Sequence, residues 1–229
     1  MKSVFISHIG LDTSLALALK RWIELVFKRK CGVFVSGSFT DIEPGAVWAM
    51  KLRESLTNAK VLLVICTRKS INSGWVLFEA GSSWGRNVPI LPICCEPHLE
   101  LPVLLGTNQL IYFSDPDFSK TLIGWLTKKL NLSSGKPAYG KMELALRQAY
   151  ESCKMDADII DRIKDVRMDR SLRVKECTPG RLAAHFDVET ADVKARVETL
   201  EKKGYLKRNR NKLTGPYYSL TPKSERLLL

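Results

Sequence analysis

The sequence predicts an α/β protein: a parallel sheet with helices on both faces, followed by a smaller, mostly helical domain. Three observations predict it. Short apolar runs alternate with amphipathic stretches up to residue 132, the rhythm of successive strand-helix-strand units. The apolar runs, Val61–Cys66 above all, hold almost no polar residue, as strands buried on both faces require. The composition then breaks at Ser133-Ser134-Gly135-Lys136-Pro137, a linker by its residue types, and a different pattern follows. The expected division is a sheet domain over 1–132, a linker and connecting helix over 133–155, and a second domain over 156–229.

The elements follow in order. Val4-Phe5-Ile6-Ser7 is a short strand. Asp12 or Thr13 opens an amphipathic helix through Leu15, Leu19, Trp22, Ile23 and Val26, closed by Lys28-Arg29-Lys30, whose charges suit a helix C-terminus. Gly32–Val35 is the second strand, and a polar loop runs from Ser36 to Gly45. A helix from about Ala46 to Asn58 places Trp48, Leu52 and Leu56 at helical spacing. Then come the strand Val61–Cys66, a helix opened by Ser73, the strand Val88–Cys95, a proline-broken loop, a strand over Gln109–Phe113 and a helix over Phe118–Leu130. Beyond the linker, Lys141–Ser152 and Ala157–Met168 read as two helices. A short helix at Pro179–Phe186, a turn, and a second helix at Ala191–Lys203 come next, ended by Gly204. Two strands around Asn209–Pro216 complete a helix-turn-helix followed by a hairpin.

Composition narrows the function. The 229 residues are 45% hydrophobic, enough for real cores, and carry a formal charge of +12, which suits an anionic partner. No signal peptide precedes the first strand, and no apolar run has the length of a membrane helix. The six cysteines form no C-x-x-C pair and mostly lie in apolar strands. They read as reduced thiols of a cytoplasmic protein, with Cys94-Cys95 either a strand end or a redox pair. No metal ligand set is expected.

The stretch richest in chemistry is Ser73-Gly74-Trp75-Val76-Leu77-Phe78-Glu79-Ala80-Gly81. Ser73 is a good N-cap, and Trp75 and Glu79 lie one helical turn apart. The helix starts at the carboxyl end of a parallel strand, where such sheets bind ligands. Glu79 is either a site carboxylate there or an ordinary exposed residue of a crossover helix.

These residues carry a resemblance. Val4-Phe5-Ile6-Ser7-His8 looks like the first box of the Toll/interleukin-1 receptor (TIR) domain, Asp41-Ile42-Glu43-Pro44-Gly45 like the loop after its second strand, and Ser73 to Glu79 like its S-x-W-x-x-x-E segment. The fold this implies is a five-stranded, flavodoxin-like parallel sheet. Many bacterial members are NAD+ glycohydrolases that need the Glu of that segment, and the receptor and adaptor members lack it, so the resemblance assigns catalysis to Glu79. Breaking the nicotinamide–ribose bond releases a neutral base and leaves an oxocarbenium-like ribose. The site must therefore supply a negative charge and orient the ribose hydroxyls, and no cofactor is implied beyond NAD+ as substrate. Trp75 either stacks on nicotinamide or packs against Ile71 or Trp84. Ser7 and His8 end the first strand, where the crevice should lie, and both are substrate-side candidates; His8 either meets the ribose or phosphates or lies on the surface. Asp41 is a further substrate-side candidate, and Trp48 lines the pocket or packs in the core. No glycine-rich phosphate fingerprint is present.

From Thr178 to Leu228 the chain resembles a winged helix, with Ala191–Lys203 as recognition helix. Six basic residues and no acidic ones lie between Lys202 and Lys212. Lys203, Lys207, Arg208, Arg210 and Lys212 stand where phosphates of DNA or structured RNA would fall. The recognition helix itself carries Asp192, Glu198 and Glu201, which is poor for groove insertion and leaves protein docking or dimerisation as the alternative to nucleic-acid binding. The two resemblances together imply a cytoplasmic NAD+-cleaving effector of bacterial anti-phage defence, controlled through its second domain and acting as a homo-oligomer or within a larger complex. The alternatives are a sensing or assembly domain of a DNA-binding transcription regulator, and a nucleoside glycosyltransferase-like enzyme.

Overall fold

Each long apolar run becomes a strand, and the strands pair in parallel. The computed structural model describes residues 2–36, 46–135, 137–169, 174–211 and 215–225, with the backbone alone at 2, 46–49, 174, 211 and 225. The chain divides into two compact units, Met1–Glu151 and Ser152–Leu229.

The first unit is built on β1 (Lys2–Ser7), β2 (Cys31–Val35), β3 (Val61–Cys66), β4 (Ile90–Cys94) and β5 (Ile111–Tyr112), in the order β2-β1-β3-β4-β5. All neighbours are parallel, with Ile6 opposite Val35 on one side and Ser7 opposite Val64 on the other. Every residue of β3 is buried, which is why its run is uninterrupted by polar residues. Helices α1 (Thr13–Val26), α2 (Ala46–Asn58), α3 (Gly74–Trp84), α4 (Val103–Gly106) and α5 (Phe118–Leu130) connect the strands. The fold is the expected flavodoxin-like α/β sheet. Its order reverses between β1 and β3, so a crevice opens at their carboxyl ends.

Four elements differ from expectation. The proline-broken loop holds the single turn α4, which starts directly after Pro102, a residue whose φ of −52° already suits a helix start. The last two strands are shorter, β5 having two residues. And one 30-residue helix, α6 (Tyr139–Met168), replaces the two expected helices. The segment Cys153-Lys154-Met155-Asp156 between them holds no glycine or proline, and Cys153 and Asp156, three apart, are both buried.

The second unit contains the last turns of α6, α7 (Pro179–Phe186), α8 (Thr190–Lys202), the antiparallel hairpin β6 (Leu206–Asn211) and β7 (Gly215–Leu220), and the short α9 (Pro222–Glu225). Ile159, Ile160, Leu182, Val193, Val197, Leu200, Tyr205 and Tyr218 form its core. Gly204 has φ +76°, the left-handed stop after α8 that glycine adopts without strain. Arg196 on α8 donates to the Ser152 carbonyl at 3.0 Å and to Asp156 at 3.1 Å. Burial raises the Asp156 carboxyl and the Arg196 hydrogen bond and charge pull it back, so the pair holds α8 to α6. Among the described residues, no helix is long and apolar enough to cross a membrane.

Candidate functional site

Glu79 points into the protein. Val76, Glu79, Ala80 and Ser83 are the buried residues of α3, a stripe with the i, i+3, i+4, i+7 spacing of a core-facing side. The carboxylate therefore occupies a core position and is fully buried, which overturns the reading of an exposed crossover residue. Ser73 begins the helix as expected, its hydroxyl accepting from the Val76 N–H at 3.5 Å.

Ser7, at the end of β1, donates its hydroxyl to Glu79 Oε2 at 2.5 Å. Ser36, just past β2, sits beside Ser7 because its N–H bonds the Ile6 carbonyl at 3.0 Å. Both serines are buried. The ends of β1 and β2 and the second turn of α3 thus converge on one carboxyl group at the switch point. Burial raises Glu79 to about 7, against the smaller opposing pull of the Ser7 hydroxyl and of the neighbouring Ser36 and Trp75 side chains. Glu79 Oε1 and Ser36 Oγ form no complete hydrogen bond in the described structure, which leaves polar capacity for a ligand hydroxyl.

Trp75 lies a turn before Glu79 and is 39% exposed. Its ring meets Phe78, centroids 5.6 Å apart, instead of packing against Trp84, which is itself exposed. Between α2 and α3 runs a trough of about 600 Å³ lined by Leu52, Leu56, Trp75, Phe78, Gly81 and Gly85. Trp75 therefore touches both the trough and the carboxylate. Arg86 closes the trough's far end by donating to the Leu56 and Thr57 carbonyls at 2.5 and 2.8 Å, so its guanidinium is committed to the end of α2.

His8 is buried as well, not on the surface. Desolvation lowers it to about 4, so it is neutral at pH 7 and offers no charge to a phosphate. Its Nε2 lies 3.3 Å from Thr13 Oγ1, and that hydroxyl gives its own proton to the Gly10 carbonyl at 2.8 Å. A hydrogen bond with the Ile6 backbone partly offsets the lowering of His8. Asp41 falls outside the described residues. Trp48 lies on α2, with its side chain outside them.

Asp12 is a residue that sequence reasoning took for a helix opener. It precedes α1 but makes no capping bond. Instead it is buried, and Oδ2 accepts from the Thr67 hydroxyl at 3.1 Å. Desolvation raises it to about 7, Thr67 opposes the rise, and Glu96 adds to it. Both Glu79 and Asp12 bind their proton more tightly in the folded than in the unfolded chain. The stability they contribute is complete below their ordinary carboxylate values and is lost as pH rises through about 7. No local signal marks Asp12. The Glu79 burial was readable from the small and apolar Val76, Ala80 and Ser83 around it.

In the second unit, Lys207, Arg208 and Arg210 are exposed on β6 and Lys203 is half-buried beside them; Lys212 falls outside the described residues. Lys223 joins this group. It sits over the Tyr205 ring at 4.4 Å and donates to the Lys203 carbonyl at 2.8 Å. Burial and then Lys203 lower its ammonium. The sequence hid it because it lies beyond the hairpin.

A five-stranded parallel sheet in the order β2-β1-β3-β4-β5, with helices connecting its strands, defines a flavodoxin-like α/β module whose buried carboxyl group lies at the switch point. The chain belongs to the TIR domain family, whose profile matches residues 4–124, more than half of its length. No curated protein sequence matches it significantly. Among solved structures, the response regulator StyR is similar at 15% identity over 88% of this chain and 91% of that one, with a TM-score of 0.37, a likeness too loose to argue from.

Proposed function

We propose that the TIR unit is an NAD+ glycohydrolase, that Glu79 is its catalytic carboxylate, and that the second unit is a winged helix that binds nucleic acid and controls it. The observation that carries this reading is the carboxyl group of Glu79, buried at the switch point, held by Ser7, touched by Trp75 and left with an unfilled acceptor. In its ionised form such a group stabilises the cationic ribose and accepts from a ribose hydroxyl. The nicotinamide leaves as a neutral base, so a single carboxylate suffices. Trp75, 39% exposed, stacks on the leaving ring in this reading. The setting that fits such a destructive reaction is anti-phage defence, with assembly of several copies as the trigger. Purified full-length protein incubated with NAD+, its products separated by chromatography, tests the reaction. Nicotinamide and linear or cyclic ADP-ribose are expected, and intact NAD+ with the assembled protein would refute it.

The acid-base behaviour makes a second expectation. If ionised Glu79 does the work, kcat/KM climbs about tenfold per pH unit below 7 and levels off above it. A rate-pH profile between about pH 5.5 and 8.5 that stays flat would detach the titration of Glu79 from the chemistry.

Assembly makes a third. The loop Ser36–Gly45, largely outside the described residues, is our proposed contact between copies. Specific activity then rises with protein concentration. Strict proportionality in a species that sediments as a monomer would remove the homo-oligomer from the mechanism.

A second reading is favoured by one observation, the complete burial of Glu79. A carboxyl group sealed in the core also suits a sensing or assembly domain of a DNA-binding regulator. The same NAD+ experiment separates the two.

A further inference from the structure

We propose that Asp12 is a positioning residue for Glu79, acting through Thr67; the proposal rests on the reading of Glu79 as the catalytic carboxylate. Two segments frame that carboxylate. One leaves β1 with Ser7, His8 and the 3-10 turn Gly10–Asp12; the other leaves β3 with Thr67, the 3-10 turn Ser70–Asn72 and the Ser73 cap of α3. They are tied to each other at two points. Ser7 donates to Glu79 at 2.5 Å, and Thr67 donates to Asp12 at 3.1 Å.

The second tie reaches α3 by a short series of bonds. The Ser70 N–H donates to Thr67 Oγ1 at 3.2 Å, the Thr67 N–H donates to Ser70 Oγ at 2.8 Å, and the Ser70 hydroxyl donates to the Ile65 carbonyl at 2.6 Å. Asp12, Thr67 and Ser70 are all buried, so no water competes for these bonds. The turn so fixed ends where Ser73 caps α3, and Glu79 rides on the second turn of that helix. On the other side, Thr13 follows Asp12 directly and holds His8. Asp12 thus fixes the register between the β1 end that supplies Ser7 and the helix that supplies Glu79, while touching no reacting group itself. A displacement of about 1 Å in such a constellation is enough to lower a rate on the order of a hundredfold.

The test uses the full-length protein and two readouts. The first is kcat and KM for NAD+; the second is the titration midpoint of Glu79, followed by NMR of carboxyl-labelled protein. Asp12→Ala and the near-isosteric Thr67→Val are expected to lower kcat about ten- to a hundredfold with little change in KM. They also move the Glu79 midpoint from about 7 toward the ordinary carboxylate range as the helix loosens and water enters. Asp12→Asn and Thr67→Ser keep the bond and stay within about threefold of the unaltered protein. The double variant Asp12→Ala/Thr67→Val falls no further than either single one, since both remove the same tie. Thermal unfolding identifies variants that lose the fold, and Thr67→Val keeps the test open if Asp12→Ala is among them. A folded Thr67→Val protein with unchanged kcat and unchanged Glu79 midpoint would overturn the proposal, as would full additivity in the double variant. If the unaltered protein cleaves no NAD+, the reading of the site fails, while the Glu79 midpoint still decides whether Asp12 positions it.

Discussion

Glu79→Gln is expected to abolish most NAD+ turnover, by at least about a hundredfold, and to leave the fold intact. The substitution nearly preserves volume, and the amide oxygen still accepts from Ser7. What disappears is the negative charge at the switch point, and in a buried site that charge acts on the ribose cation with little screening. The loss falls on kcat, because the charge is matched to the transition state more than to the bound dinucleotide. Equal turnover by the variant and the unaltered protein, both shown folded by thermal unfolding, would refute the assignment and move the function of this unit toward sensing or assembly.

The second large effect concerns the hairpin. Replacing Lys207, Arg208 and Arg210 together by Ala is expected to weaken binding to DNA or structured RNA about uniformly across sequences. It also flattens the dependence of log affinity on log salt by roughly two to three units, since each phosphate contact releases about one counterion. All three side chains are exposed on β6, so their removal leaves the core untouched. Any basal NAD+ cleavage is expected to survive, because the hairpin lies in the other unit. Anisotropy titrations at several salt concentrations measure the slope. An unchanged slope would mean that the basic face is merely solvated, and the docking of a protein would become the better account of the second unit.

Much of this architecture was legible in the residues. Val61–Cys66 announces a strand buried on both faces because nothing polar interrupts it, and Ser73 announces a helix start because its hydroxyl fits the cap. Gly204 announces the end of α8 because few other residues take a positive φ there. The continuity of α6 was missed because periodicity weakens where Cys153 and Asp156 take core positions usually held by larger apolar residues. The site was half legible. The spacing of Trp75 and Glu79 places them a turn apart, yet which of the two faces the sheet depends on the stripe of Val76, Ala80 and Ser83. Asp12 escaped because burial of a polar side chain depends on partners distant in sequence. Thr67, fifty-five positions after Asp12, is such a partner.

The sealed carboxyl group also has a genetic consequence. At neutral and higher pH the fold would be more stable with an uncharged residue at position 79, since ionising Glu79 opposes folding there. Inactivating substitutions at this codon therefore lie on a downhill path. If the proposed NAD+ cleavage is the activity of this unit, a copy that loses the acid still folds and sheds any toxicity of NAD+ loss. On the proposed function, selection for the reaction would have to act continuously to hold the acid in place, and wherever it lapsed the expected relic is a well-folded, silent copy.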